Sequence, residues 1–211
     1  MAITINGTGS ITGLTAGGLP DGSVTNADLE YAGTSGQVLT SQGSGSAPQW
    51  ADAAGATYGS YTDVGTSQYL DITGIDSSTK KITINFYNWS CNTGAQPTFY
   101  LGDSGGFETS GYSSTGWYQN GGSSGVYQNF TGEFRIPIGS AAHRLNGRLV
   151  IFKMHDTSHV YIAEAYFGDG GSGMMCGFGG HKQLSSVITQ VRVGWSSGGS
   201  DTGAIRVVQE A

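Results

Sequence analysis

Ser104 stands in the run Gly102-Asp103-Ser104-Gly105-Gly106, and His143 follows Ala141-Ala142. A serine offered on a glycine-rich turn can attack an acyl carbon. It needs a histidine to take its proton and an aspartate to orient the imidazole. His155 and His159 are four residues apart, a spacing that can bring two imidazoles to one metal ion. Asp103, Glu108, Glu133 and Glu164 are the acids from which a glycoside hydrolase would need a pair. The fourth set is aromatic. Tyr112, Trp117, Tyr118 and Tyr127 lie among Ser, Gly, Asn and Gln in "GYSSTGWYQNGGSSGVYQNF", residues 111–130. The stretch reads as a contact loop, since rigid amphipathic rings among small polar residues are the mixture antibody loops use for contact; the alternative is that two or three of the rings plug the end of the fold or a subunit interface. Ring faces also stack on the apolar faces of sugars.

The serine reading fails on order and length. Residues 102–106 match the pentapeptide around the nucleophile of chymotrypsin-like proteases, but that fold runs His, Asp, Ser. Here Ser104 precedes His143, after only one or two strands, and Phe107 stands where that family has proline. A tight inter-strand turn explains the same letters, because Asp and Ser side chains bond nearby amides and Gly supplies positive φ. The chain is therefore expected not to be an enzyme, with no catalytic residue assigned. His155 and His159 are expected to flank a hairpin turn as hydrogen-bonded loop residues. No Cys/His cluster suggests zinc, no aspartate-rich loop suggests calcium, and nothing pairs the four acids, so neither metal nor cofactor is expected.

The elements that must carry these residues are strands. Glycine supplies 37 of 211 residues, against about 15 in a chain of ordinary composition, yet it shows no three-residue period, which excludes collagen. Aromatic residues at 11% are too many for a disordered linker. "KKITINFYNWS" sets Ile82, Ile84 and Phe86 against Thr83, Asn85 and Tyr87, the period of a half-buried strand. "GEFRIPI" alternates Phe134, Ile136 and Ile138. "RLVIFKMHDTSHVYIAEAYF" reads as a hairpin with strands 149–154 and 160–167, and "SVITQVRVGW" and "GAIRVVQE" as further strands. Residues 168–182, "GDGGSGMMCGFGGHK", read as a long glycine-rich loop whose Met174, Met175 and Phe178 pack on a neighbouring subunit. The expected fold is all-β: an antiparallel β-sandwich or jelly roll over residues 57–211.

Residues 1–56 differ. Their apolar side chains appear singly, among them Ile3, Ile5, Ile11 and Leu14. Such an extended, low-complexity arm cannot bury enough surface alone to offset chain entropy. Neighbouring chains or a partner are expected to complete it. A net charge of −6 with nine scattered Lys and Arg argues against nucleic acid as a partner. No apolar run approaches a membrane span, and the N-terminus lacks the pattern of a secretory leader. Cys91 and Cys176 are expected to be free buried thiols, a single bridge being the alternative.

Three stretches resemble a domain that recurs at the C-termini of bacteriophage tail fibres. They are "YLDITGIDSSTKKITINF" (69–86), "YLGDSGGFETSGYSS" (100–114) and, more weakly, "LSSVITQVRVGWSSGGSDTGAIRVVQE" (184–210). "SGQVLTSQGSGSAPQWAD" (35–52) is similar to a connector in fibres of marine phages, and "GLPDGSVTNADLE" resembles their short shaft repeats. No long repetitive shaft is present, so the resemblance implies a short fibre or knob. It implies a homotrimeric virion protein, assembled in the bacterial host cytoplasm and attached to tail or head by its N-terminus. Ile3, Ile5, Ile11 and Leu14 would serve attachment to other virion proteins. The head would present Tyr112, Trp117, Tyr118 and Tyr127 to a host surface, a glycan suiting its low charge. A head fibre or tail-assembly part without a receptor is the alternative.

Overall fold

Strand after strand, small outward-facing residues alternate with large buried ones. In Lys81–Cys91, Ile82, Ile84 and Phe86 are buried while Asn85 and Tyr87 are exposed. The computed structural model describes residues 34, 36–44, 46, 48–52, 55–155 and 157–211, with backbone alone at 127–129. Every regular element among these residues is a strand. The chain divides into two compact units between residues 53 and 54.

The described part of the first unit is a hairpin of β1 (Gln37–Thr40) and β2 (Gln49–Asp52). Leu39 faces Trp50 across it, and the Thr40 hydroxyl donates to the Gln49 carbonyl at 2.8 Å. Ile3, Ile5, Ile11 and Leu14 lie outside the described residues.

The second unit contains β3 (Ala56–Asp63), β4 (Tyr69–Thr73), β5 (Lys81–Cys91), β6 (Pro97–Asp103), β7 (Gly106–Phe107), β8 (Tyr112–Asn120) and β9 (Ser123–Phe130). It continues with β10 (Phe134–Arg135), β11 (Leu145–Lys153), β12 (Val160–Asp169), β13 (Met174–Gln183), β14 (Gln190–Trp195) and β15 (Ser200–Glu210). They form two antiparallel sheets. One runs β10-β6-β14-β4 with β7 beside β6; the other runs β3-β15-β5-β11-β12-β13-β8-β9.

The two sheets share one core, as a sandwich requires. Trp89 of β5 meets Trp195 of β14 at 4.4 Å between ring centroids. Phe178 of β13 meets Phe99 of β6 at 5.3 Å and Phe134 of β10 at 5.0 Å. Such separations are favourable for aromatic pairs beyond the area they bury. Both buried indoles are satisfied by one hydroxyl: Ser200 Oγ accepts from Trp195 Nε1 at 3.0 Å and from Trp89 Nε1 at 3.3 Å.

Three expectations about elements are corrected. Residues 112–130, read as a contact loop, form the hairpin β8–β9, which turns at Gly121-Gly122. Residues 168–182, read as a loop, are mostly β13, an interior strand paired on both sides. Met174 and Phe178 lie in the core of the same chain, and Met175 is exposed. The run 134–138 is a strand only at Phe134–Arg135, because Pro137 has no N–H to continue a ladder. Ile136 and Ile138 are nevertheless buried. The expected hairpin at 149–167 is present and longer: β11 opens at Leu145 and β12 closes at Asp169.

Candidate functional site

The outer face of the eight-stranded sheet holds the best candidate. Pairing register lines up Tyr166, Gly177, Trp117 and Val126 across β12, β13, β8 and β9. Ala165 and Phe167 are buried, so Tyr166 between them points outward, and it is exposed. Gly177 has no side chain, and the Trp117 ring leans over it. A Cβ built at 177 would stand 3.2 Å from Trp117 Cζ2. The indole thereby reaches Tyr166, with 6.1 Å between ring centroids and 58° between planes.

One register step along β13, Gly179 lies between Glu164 and Thr115. A Cβ built there would meet nothing within 4 Å. The result is a furrow with bare backbone as floor, two rings at one end, and a carboxylate and a hydroxyl on its flanks. Ile162 and His181 follow in the next register row, opposite Ser113. Glycine in a strand interior commonly marks a place where another molecule approaches the backbone closely. Rings for C–H faces, with a carboxylate and hydroxyl for O–H groups, suit a carbohydrate. They supply neither a nucleophile nor a paired acid.

The four aromatic residues singled out in sequence separate in space. Trp117 is in the furrow. Tyr118, next in the strand, turns to the opposite face and packs against the core. Tyr112 is buried, contrary to its expected role as a surface contact. Its hydroxyl accepts from Leu101 N at 2.9 Å and donates to the Glu108 carbonyl at 3.0 Å. Burial holds that phenol well above its ordinary pKa, with the charge of Glu108 acting in the same direction. The Tyr127 side chain lies outside the described residues. Tyr166 and the two glycines were missed. The available signal was the alternation Met174, Cys176, Phe178 with Gly177 and Gly179 between.

The serine motif is a two-residue turn. Asp103 pairs with Gly106 across it, and Gly106 adopts φ +117°. Asp103 Oδ1 accepts from Gly105 N at 2.8 Å, while Oδ2 accepts from Ser185 Oγ at 2.6 Å and Ser186 N at 2.9 Å. The Ser185 bond above all, then that of Gly105, holds the carboxyl below its usual range. Ser104 is exposed. His143 bonds instead to Asp169. Asp103 bonds Ser185 and Ser186, and Tyr161, near the start of β12, accepts from Ile188 N of the same segment, whereas Asp169 ends that strand. Eight residues of strand separate the two positions by about 26 Å. Ser104 and His143 are not brought together.

Of the two histidines expected to be hydrogen-bonded loop residues, His155 is: its Nδ1 lies 3.0 Å from Thr157 Oγ1 and accepts from Thr157 N, within its own turn. His159 departs from that expectation, its Nδ1 being buried without a hydrogen-bond partner among the described residues. No group of three metal-ligating side chains occurs among the described residues. Glu108 lies 3.7 Å from Lys182 Nζ, and Glu133 is ion-paired with Arg135. Both cysteines are free and buried. Burial, with the charge of Asp169 adding to it, pushes the Cys176 thiol up to about 12.

No protein-family model matches the chain, and no curated protein matches it. No helix among the described residues is long and apolar enough to cross a membrane.

Proposed function

We propose that this chain is a bacteriophage virion fibre protein, a non-enzymatic appendage whose second unit binds a host-surface glycan through the Trp117 furrow. The observation that carries the reading is the Trp117–Tyr166 pair beside the open backbone at Gly179. The resemblance of residues 69–86, 100–114 and 184–210 to phage fibre domains supports the assignment to a virion, on tail or head. Residues 1–56, with Ile3, Ile5, Ile11 and Leu14, would attach the protein to other virion proteins and help join three copies. A shallow furrow binds weakly. Three copies on one fibre, and several fibres on one particle, raise the effective concentration at a host surface enough to compensate.

The test is binding of the full chain to an array of bacterial surface polysaccharides, followed by competition with infection. Wild type is expected to bind, and Trp117→Ala and Tyr166→Ala each to lose at least ten-fold. Gly179→Val fills the furrow from an exposed strand position, so it should abolish binding with intact folding. Binding that survives all three substitutions would overturn the furrow. A wild-type chain that binds no polysaccharide would favour the receptor-free structural role.

A further inference from the structure

His143 and Asp169 form a second arrangement, far from the Ser104 turn. His143 Nδ1 lies 2.8 Å from Asp169 Oδ2. The Asp169 side chain is 1% exposed, and its two oxygens accept three further bonds, from Arg144 N at 2.9 Å, Gly171 N at 3.3 Å and the Ser172 hydroxyl. Four donors on one buried carboxylate leave little freedom for it to move. The pair is set by register. Asp169 ends β12 opposite Leu145, the first residue of β11, and His143 stands two residues before Leu145.

A carboxylate at Nδ1 fixes the imidazole's proton there and leaves Nε2 for another partner. His143 lines a cavity of about 230 Å³ with Tyr118, Asn120, Ile138, Gly139 and Met174. Ile138 and Met174 are buried and give it an apolar floor. Among the described residues no carboxylate, lysine or arginine lines it: Asp169 bonds His143 Nδ1, and the Arg144 guanidinium donates to the carbonyls of Ala141 and His143 at 3.3 Å each. None of the lining residues is a serine, a cysteine or an acid, so the site is built to bind rather than to hydrolyse. Its volume is below the ~300 Å³ at which pockets for drug-sized ligands begin, room for about one ring with the rest of a ligand in solvent.

We infer that this cleft binds a single neutral pyranose residue. His143 Nε2 and the Asn120 carboxamide take ring hydroxyls, and Met174 and Ile138 meet the ring's C–H face. The site is distinct from the Trp117 furrow and does not rest on it.

Histidine-ring nitrogen–proton correlations of the full chain, titrated with the methyl glycosides of glucose, galactose, mannose and N-acetylglucosamine, provide the test. At least one glycoside is expected to shift the His143 signals saturably at millimolar concentration, leaving His155 unmoved. Asn120→Ala, at an exposed strand end, should weaken that response at least ten-fold, and Asp169→Asn several-fold. Trp117→Ala should leave it unchanged, which separates this site from the furrow. No saturable His143 shift with any of the four, or a shift unaltered in Asn120→Ala, would overturn the inference. A dyad serving only to pin its loop gives that second set of results.

Discussion

Asp103 and Asp169 close glycine-rich turns with nearly the same tools. Each is buried, and each accepts a serine hydroxyl and the N–H of a turn glycine: Ser185 and Gly105 for Asp103, Ser172 and Gly171 for Asp169. They differ in what the remaining bond reaches. Asp103 takes Ser186 N and ties the β6–β7 turn to the segment before β14. Asp169 takes an imidazole and the amide after it, and that imidazole faces a cavity. Among the described residues no histidine bonds the serine of the turn with the protease letters, His143 being bonded to Asp169. The turn with the carboxylate–imidazole pair has no motif. Chemistry in this sandwich is placed by ladder register, which joins residues 26 apart as readily as neighbours.

The comparison is tested first by removing each acid. Asp103→Ala leaves three donors without their acceptor, two of them in the segment that leads into β14. Hydrogen bonds to a charged group contribute about 1.5–3 kcal/mol each, and because Gly105 and Ser185 are exposed and water replaces part of what is lost, the expected cost is about 3 kcal/mol. Urea unfolding at pH 7 with an unchanged m-value measures it; a loss below about 1 kcal/mol would demote Asp103 from pin to bystander.

Asp169→Asn should cost less, about 2 kcal/mol, because the amide keeps one acceptor oxygen. It should also change the acid limb. Burial alone would raise the Asp169 carboxyl, but bonds from Ser172, Arg144 N, His143 and Gly171 outweigh it, and the folded-state value lies well below normal. A carboxyl depressed on folding stabilises fully above its unfolded value, near pH 4, and that contribution is lost as pH falls toward the folded value. Wild-type stability should therefore fall steeply below pH 4, and Asp169→Asn should flatten that fall. An identical slope in the two proteins would show that the carboxylate is not held as the geometry implies.

How much of this was readable in sequence depends on side chains being there to read. β5 and β14 put large apolar residues at every second position, Ile82, Ile84 and Phe86 in one and Val191, Val193 and Trp195 in the other, and the period of two shows them. β13 hides because Gly177 and Gly179 leave its outer face blank, so that Met174, Cys176 and Phe178 look like stray apolar residues in a loop. β8 hides because its buried positions after Tyr112 are Ser114 and Gly116. Trp117 stood out in sequence as a ring among small polar residues, but the ring beside it, Tyr166, needed the pairing across β13 to be known. Tyr112 carries the same chemistry as a surface tyrosine. The Leu101 amide and the Glu108 carbonyl that meet its hydroxyl, with Phe134 against its ring, make it a core residue.

The smallest expected effect concerns the serine itself. Within Gly102–Gly106 the fold uses the first glycine, where a Cβ would stand 2.7 Å from Gly106 O, together with the aspartate and the last glycine. Asp103 holds the turn by its side chain, and Gly106 holds it by a φ of +117° that residues with a Cβ rarely adopt. Gly106→Ala should therefore lower stability by about 1 kcal/mol or more. Ser104→Ala should stay within about 0.5 kcal/mol of wild type, as exposed substitutions usually do. A fluorophosphonate that labels activated serines should leave the wild-type protein unmodified. Labelling at Ser104 would require a base within hydrogen-bond reach of its hydroxyl, yet His143 is bonded to Asp169 at the far end of β12. Inert serine and sensitive glycine together would establish that the pentapeptide is here a statement about backbone geometry.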